Sequence, residues 1–201
     1  HWGPELRYAG YIGLIVEGKA SNPVYLWINN DEVEFKSAEK IWGNLIPESE
    51  HLIREDLGGD KTLQIAVIGP AGEKLVSFAC ITAGLYREFG RGGGGAVMGS
   101  KNLKGIALSG SNDVEVAHPD KIIPFAKRLI DNIRLSKIGQ IRRIHGTMEL
   151  VERINKAGFW VTRNFSEGFF EEGYKLEGPQ MREKVVSGDS SCFGCPIGCG
   201  K

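Results

Sequence analysis

The sequence predicts an α+β fold whose character changes near residue 117. Before that point, short apolar runs alternate with turn-forming residues, which is typical of strands with a few short helices. After Pro119, apolar residues recur with the period of a helix. We therefore expect residues 1–117 to form a strand-rich part and residues 118–201 a mainly helical part. A chain of 201 residues has room for one or two domains.

The strands are predicted from apolar runs that end at turn signals. Asn29-Asn30-Asp31 indicates a hairpin between residues 24–28 and 33–35, because Asn and Asp tolerate positive φ. Ser37 is expected to cap a short helix over residues 38–42. The other predicted strands cover residues 12–16, 62–68, 74–81, 106–108 and 114–116, with a turn at residues 69–72.

Two helices are predicted in the second part. The second of them begins at a cap on Thr147 and stops at Gly158. Pro124 leaves the start of the first helix open. Residues 162–178 mix aromatic residues with glycine and charge and are interpreted as an ordered loop. The apolar stripes are Ile122, Ala126, Leu129, Ile130 and Ile133 for the first helix, and Leu150, Val151 and Ile154 for the second.

Composition excludes two classes of partner. The chain is 41% hydrophobic and 25% charged, as soluble globular proteins are, and its 25 basic residues equal its 25 acidic residues. A nucleic-acid-binding protein usually carries a basic excess, so we expect no nucleic acid. No apolar run approaches the ~20 residues that span a bilayer, and no signal peptide is visible. The sequence therefore predicts a cytoplasmic protein without a membrane span.

Three of the four cysteines lie in the last ten residues, as Cys192, Cys195 and Cys199 with the spacing C-x2-C-x3-C. The small residues between them allow three thiolates to converge on one inorganic centre. A disulfide framework fits small secreted domains, and structural zinc sites usually pair two short knuckles, so both alternatives fit less well. We favour a cluster whose fourth ligand lies outside this chain, which would make the sequence a fragment. The isolated Cys80 is expected to be buried.

Glycine is unusually frequent, with 28 residues, and it concentrates at residues 90–99. Consecutive glycines let backbone N–H groups face one point, which suits an anion, and Arg91 and Lys101 flank this loop. A tight turn without a ligand is the alternative. The order Gly99-Ser100-Lys101 does not fit a P-loop, and a dinucleotide fingerprint lacks a clear strand–turn–helix context here. We predict phosphate binding without a nucleotide motif.

In chain order, these segments resemble signatures of the tungsten- or molybdenum-containing aldehyde ferredoxin oxidoreductases. The resemblance rests on GRGGGGAVMGSKNLK from Gly90 and CFGCPIGCGK from Cys192. WGPELRYAGY from Trp2, the pair Gly146-Thr147 and TRNF from Thr162 match as well. The resemblance covers essentially the whole chain.

The resemblance implies the later half of an N-terminal domain that cradles a metal cofactor in paired sheets, followed by the start of a helical domain. The cofactor would be tungstopterin or molybdopterin, a metal held by two pterins. Cys192, Cys195 and Cys199 would bind a [4Fe–4S] cluster. The pterin phosphates would meet Arg91, Gly93, Gly94, Gly95 and Lys101, while the carbonyl of Gly92 would help hold a bridging Mg ion. Gly3 would belong to a second phosphate-contacting turn, and Gly94 departs from the bulkier apolar residue usual in relatives.

The implied reaction is oxidation of aldehydes to carboxylates, with electrons passing singly through the cluster to ferredoxin or a similar carrier. The acid–base residues lie beyond Lys201 in relatives, so no catalytic side chain is assigned and the isolated chain is expected to be inactive. A homodimer is compatible with the resemblance. Two alternatives stay open. One is a reductase of an aromatic ring carried on coenzyme A, and the other is a non-catalytic zinc- or cluster-binding module.

Overall fold

The computed structural model describes residues 1–201 as two compact units, His1–Glu115 and Val116–Lys201. A six-stranded mixed sheet and eight α-helices make up the fold, which confirms the predicted α+β class. The assignment of residues 1–117 to a pterin-binding domain and of residues 118–201 to a cluster-binding domain stays a prediction. None of the helices has the length and apolar character needed to cross a membrane.

The first unit is built on one sheet with the strand order β2-β1-β6-β3-β4-β5. Neighbouring strands run antiparallel except β1 and β6, which are parallel. Four helices accompany the sheet: α1 (Trp2–Tyr8), α2 (Ile46–Asp56), α3 (Pro70–Glu73) and α4 (Gly94–Ser100). The strands are β1 (Val24–Asn29), β2 (Glu32–Ser37), β3 (Gln64–Val67), β4 (Ile81–Ala83), β5 (Arg87–Phe89) and β6 (Leu103–Ser109).

Both faces of the sheet are buried, because alternate residues of a strand point to opposite faces. Leu26 and Ile28 of β1 pack into one apolar cluster, to which α1 and α4 also contribute. Tyr25 of β1 packs into the other cluster with Ile53 of α2. The sheet is therefore the middle layer of the first unit, and α4 is fixed on one of its faces.

The predicted hairpin is confirmed as β1 and β2, with Asn30 at φ +51°. Predicted strands at residues 62–68 and 106–108 correspond to β3 and β6. Those at residues 12–16, 74–81 and 114–116 are wrong, apart from Ile81 at the start of β4. Ile12 and Ile15 are 92% exposed, so an apolar run alone did not make a buried strand. Cys80 is half-buried rather than buried.

The helix predicted over residues 38–42 is also wrong, because the chain forms only a turn there. In that turn the amide of Trp42 donates to the carbonyl of Ala38 at 2.9 Å. The next helix, α2, was missed. Its apolar residues are widely spaced among charged ones, and a proline stands near its start.

The second unit is helical, and the helix predicted after Pro119 is confirmed as α5 (Pro119–Leu135). No residue of α5 is buried. Thr147 does not cap the later helix, because it lies within a 3₁₀ helix that leads directly into α7. Gly158 follows that helix at φ +74°. The remaining elements are α6 (Lys137–His145), 3₁₀ helices at Gly146–Leu150 and Gly173–Leu176, α7 (Val151–Lys156) and α8 (Gly178–Lys184).

Candidate functional site

The glycine-rich segment forms a tight turn between β5 and α4. Gly92 lies at φ +83°, and Gly93 lies at φ +67° as the N-cap of α4. Both angles fall in the left-handed region, which glycine enters without the steric cost that other residues meet. The consecutive glycines therefore reverse the chain before α4 begins.

The glycines of this turn differ in what surrounds them. A Cβ on Gly93 would lie 2.3 Å from the carbonyl oxygen of Ser77, and one on Gly95 would lie 2.4 Å from that of Cys80. These two glycines thus allow close packing of the backbone inside the protein. A Cβ on Gly92, in contrast, would meet nothing within 4 Å. Gly92 is therefore the position at which a ligand could approach the backbone.

Gly94 and Gly95 offer less to a ligand than the sequence suggested. The amide of Gly95 donates to the carbonyl of Ala79 at 2.9 Å, so this donor is already used. A Cβ on Gly94 would lie 3.2 Å from Cδ1 of Ile81. A bulkier residue at position 94 would therefore require the Ile81 side chain to move.

The two flanking cations lie at opposite ends of α4. Arg91 is exposed on the turn and forms no ion pair with the rest of the chain. Lys101 is the C-cap of α4, and its Nζ donates to the carbonyl of Gly18 at 3.0 Å. A seven-residue helix is about 10 Å long. The structure thus brings Arg91 and Gly92 together on one turn and places Lys101 away from it.

Gly3 lies in the first turn of α1, where it is exposed. Its neighbour Trp2 donates from Nε1 to the carbonyl of Ile106 at 3.2 Å. The indole also makes an edge-on contact with Phe89, with ring centroids 5.9 Å apart. Because Phe89 directly precedes Gly90, this contact brings the start of α1 beside the glycine-rich turn.

The strand–turn–helix context that the sequence did not reveal is present, but it is not that of a dinucleotide fold. Such a fold joins parallel neighbouring strands through the helix. Here β3 and β4 separate β5 from β6, and the intervening antiparallel pairings make β5 and β6 antiparallel. The topology therefore agrees with the absence of a nucleotide motif.

Sequence reasoning missed a buried ion pair that joins β6 to α3, the helix packed against α4. The side chains of Lys104 on β6 and Glu73 on α3 are 0% and 5% exposed, and Nζ lies 2.5 Å from Oε1. Burial lowers the pKa of Lys104, and the Glu73 carboxylate opposes that change. Lys104 is the last residue of the GRGGGGAVMGSKNLK segment, which is the only signal that pointed to it.

The three clustered cysteines lie in one closed loop of the second unit. The backbones of Ser190 and Gly200 exchange two hydrogen bonds, at 2.9 and 3.0 Å, which join the two ends of the loop. Within it, the amide of Cys195 donates to the carbonyl of Cys192 at 3.1 Å. Gly194 and Gly198 lie at φ +64° and +63°, so each turn between cysteines depends on a left-handed glycine.

All three thiols are free and reachable. Cys192 and Cys199 are exposed, and Cys195 is half-buried. The backbone amides of Ile197 and Gly198 hydrogen-bond to the Cys195 sulfur and lower the pKa of its thiol, which favours the thiolate that binds metals. No three His, Cys, Asp or Glu side chains converge tightly enough to hold a single metal ion. Three free thiols in one loop, one of them with amide donors at its sulfur, could serve as ligands of a metal centre.

Contacts from the neighbouring helix hold the cysteine loop in place. Nζ of Lys201 donates to the carbonyls of Arg143 and Gly198 at 2.7 and 3.0 Å, and to Asp189 Oδ1 at 2.8 Å. Gly146, at φ +64°, permits close approach, since a Cβ there would lie 2.6 Å from the carbonyl oxygen of Cys199. In the Gly146-Thr147 pair noted in the sequence, Gly146 is therefore the residue that lets the cysteine loop pack closely.

The TRNF segment forms an unusual turn. Arg163, Asn164 and Phe165 all have positive φ, at 46°, 54° and 69°, which costs energy for residues other than glycine. Arg163 forms ion pairs with Glu167 and Glu171, which tie the turn to the residues that follow it. The segment lies in the ordered loop that the sequence predicted.

Two family models match the chain. The model described as "Aldehyde ferredoxin oxidoreductase, N-terminal domain" matches residues 1–110. The model described as "Aldehyde ferredoxin oxidoreductase, domains 2 & 3" matches residues 125–201.

Curated relatives and a solved structure are similar along most or all of the chain. The tungsten-containing aldehyde ferredoxin oxidoreductase of Pyrococcus horikoshii is 45% identical over 203 aligned residues, covering 100% of this chain and 33% of the relative. An aliphatic sulfonate oxidoreductase, WOR-like subunit, from Pyrococcus furiosus is 45% identical over 60% of the chain and 21% of its own length. The active site complex BamBC of benzoyl coenzyme A reductase has a TM-score of 0.78 and 33% identity, covering 98% of this chain and 32% of that one. The chain thus spans about a third of the length of the first relative.

Proposed function

This chain belongs to the aldehyde ferredoxin oxidoreductase family, and from that premise we propose that the whole protein oxidises aldehydes to carboxylates at a tungsten bis-pterin centre. The observation that carries the proposal is the turn before α4, where the unpaired Arg91 stands beside the open backbone of Gly92. Tungsten is preferred over molybdenum because the similar aldehyde oxidoreductase is named as a tungsten enzyme.

In this proposal the turn holds the phosphates of the cofactor. Arg91 donates two parallel hydrogen bonds to phosphate oxygens, and the carbonyl of Gly92 contributes to a Mg site. The amides of Gly93 and Gly94 are proposed as further donors to the phosphates, and the start of α1 at Gly3 lies nearby through the contact of Trp2 with Phe89. Lys101 is left out because its ammonium is engaged at the far end of α4. The metal–pterin group, when bound, supplies the two-electron oxidation.

Cys192, Cys195 and Cys199 supply three ligands of a [4Fe–4S] cluster. The amides of Ile197 and Gly198 offset negative charge at the Cys195 sulfur, and such hydrogen bonds raise a cluster's reduction potential. A cluster held by these cysteines would supply one-electron transfer to ferredoxin or a similar carrier. We propose that the fourth ligand is a further residue of the whole protein, since the thiol of Cys80 donates to Glu88. We also propose a cytoplasmic location and a homodimer. Analytical ultracentrifugation of the full-length protein tests the homodimer.

The activity is tested with the full-length protein under anaerobic conditions. We expect a panel of aldehydes to reduce a viologen dye or ferredoxin, with no requirement for NAD, because a cluster delivers electrons one at a time whereas a nicotinamide carries hydride. NAD-linked turnover by the purified subunit, with no dye reduction, would contradict the proposal.

The phosphate site is tested by Arg91→Ala, with Lys61→Ala as an exposed-cation control from the same unit. Losing a charge-assisted bidentate contact costs about 1.5–3 kcal/mol, or about 10–100-fold in affinity. Tungsten and pterin contents should fall in the first variant and not in the second. Equal contents in both would remove Arg91 from the site.

The cluster is tested by Cys195→Ser, with Cys80→Ser as control. The first change should abolish or convert the cluster signal in electron paramagnetic resonance and lower the iron content, while the second should leave both unchanged. An unchanged spectrum after loss of Cys195 would contradict cluster ligation. Zinc as the only metal in the full-length protein would favour the non-catalytic module instead.

A second candidate function is reduction of an aromatic ring carried on coenzyme A. The similarity to the benzoyl coenzyme A reductase complex, at 33% identity over 98% of this chain, favours it. Both candidates share the turn and the cysteine loop, so the substrate decides between them. Aromatic coenzyme A thioesters should be inert under the proposed function and should be turned over under the alternative.

A further inference from the structure

The buried pair of Lys104 and Glu73 has no part in the function proposed above. Both oxygens of Glu73 accept from the amide of Gly43, at 3.0 and 2.9 Å, and Nζ of Lys104 also donates to the carbonyl of Asn44 at 3.1 Å. The pair therefore joins β6, α3 and the turn that precedes α2. Breaking a buried pair by removing one partner leaves an uncompensated charge, so this junction resists movement.

From this junction a path of direct backbone contact leads to α4. Gly72 is adjacent to Glu73 on α3, and a Cβ on it would lie 2.8 Å from the carbonyl oxygen of Gly95. One helical turn further on, a Cβ on Gly99 would lie 2.0 Å from the carbonyl oxygen of Gly72. No side chain separates the two helices at these points. A displacement of α3 is therefore passed to α4 without a compressible layer between them.

We propose that Lys104 and Glu73 are positioning residues for the turn at residues 91–93. The pair fixes α3, and α3 fixes α4 through the glycine contacts. The N-cap of α4 is Gly93, which directly follows Arg91 and Gly92. The link to phosphate binding rests on the proposed function, whereas the link to the position of α4 does not. Lys104 and Glu73 thus act on the anion site through α3 and α4, without touching the ligand.

The proposed effect of the pair on the position of α4 is tested by amide hydrogen exchange of Glu73→Gln in the full-length protein. Glu50→Gln is the matched control, because Glu50 and Arg54 form another largely buried pair, at 3.0 Å, within α2. At equal overall stability, exchange at residues 94–100 should rise about tenfold or more in the first variant and not in the second. Unchanged exchange in α4 would overturn the proposal.

A second variant covers the case in which Glu73→Gln fails to fold. In Lys104→Met combined with Glu73→Gln no buried charge remains, so the fold should be retained. The bonds from Lys104 to Asn44 and Glu73 are still lost. Exchange in α4 should therefore stay elevated, and wild-type exchange in a folded double variant would also overturn the proposal.

The functional part is tested by a double-mutant cycle with Arg91→Ala, read as tungsten and pterin retained after dialysis. If Glu73 acts through the turn, Glu73→Gln should cause little further loss once Arg91 is absent. Independent, additive losses would overturn positioning of the phosphate site. If Arg91→Ala alone causes no loss, the proposed phosphate site fails, and the exchange result still decides whether the pair positions α4.

Discussion

Among single residues, Tyr25 has the most strongly altered chemistry. It is fully buried on β1, and its hydroxyl donates to the carboxylate of Asp56 at the end of α2. Burial, followed by the hydrogen bond and the charge of Asp56, raises the pKa of Tyr25 well above its ordinary value of 10.0. The folded chain therefore keeps this proton at a pH where the unfolded chain releases it.

Stability should consequently fall as the pH rises above about 10. In that range the folded state binds one more proton than the unfolded state, so the free energy of unfolding decreases by about 1.4 kcal/mol per pH unit. Urea titrations of the wild type and Tyr25→Phe between pH 8 and 11 measure the difference between them. That difference should change with pH only above about 10, and a constant difference would contradict the burial of an un-ionised Tyr25.

Adjacent glycines in the turn before α4 should respond differently to alanine. Gly92→Ala places a side chain at φ +83° in open space, so only backbone strain of about 1–2 kcal/mol is expected. Gly93→Ala adds an overlap with the carbonyl of Ser77, and we expect the larger loss of stability. Urea unfolding of both variants gives the comparison. Equal losses would mean that the turn does not pack against Ser77.

At the scale of elements, sequence reasoning succeeded where local chemistry determines the structure. The hairpin of β1 and β2 follows from the residues of its own turn, and α5 follows from its apolar period. Residues 12–16 failed because apolar character predicts burial only when another element covers the segment, and Ile12 and Ile15 stay exposed. A short segment of sequence does not show which distant element will pack against it.

The candidate site shows the same limit. The sequence located Arg91 and the three cysteines, because charge and thiol chemistry belong to the residue itself. It did not show that α4 begins inside the glycine run, since glycine is a poor helix former and the close contact with α3 compensates for that. The role of Lys104 depends on a partner 31 positions away in the chain, which no local pattern reveals.

In the second unit, Asn155 joins α7 to the loop that follows it. It is buried on α7, where Nδ2 donates to the carbonyl of Phe170 and Oδ1 accepts from the amide of Phe170, both at 2.8 Å. Asn155→Ala should leave that backbone unpaired at a cost of about 1–3 kcal/mol and speed amide exchange across residues 162–173. Asn155→Asp keeps the acceptor but loses the donor. Its stability and its exchange rates should fall between those of the wild type and Asn155→Ala. Wild-type exchange in the alanine variant would contradict this role.

The 201-residue chain is unevenly packed. Every buried apolar residue except Val151 belongs to the first unit, where two clusters sandwich the sheet. In the second unit, Val151 is the only apolar side chain that is buried. Apolar burial is the dominant favourable term in folding, so the two units should differ in stability.

The isolated 201-residue chain, free of metal, should therefore unfold in two steps in urea, with residues 116–201 unfolding first. Rebuilding the cluster should shift that first step to higher urea, because a ligand that binds only the folded state stabilises it by mass action. Circular dichroism at 222 nm and hydrogen exchange follow the two units. A single transition that is unaffected by iron and sulfide would contradict the prediction, and Cys195→Ser should abolish the shift.

The backbone pairing of Ser190 and Gly200 should affect the order in which the proposed iron–sulfur cluster is assembled. In a flexible chain, gathering three ligands requires closure of the loop between them, and that entropy loss weakens the capture of the first iron. Here the ends of the loop are joined by the protein's own hydrogen bonds. The three thiols are then a chelating set from the outset, and capture of iron by this loop should precede recruitment of the last ligand. In the proposed cluster, the order of assembly would thus depend on two backbone hydrogen bonds that involve no cysteine.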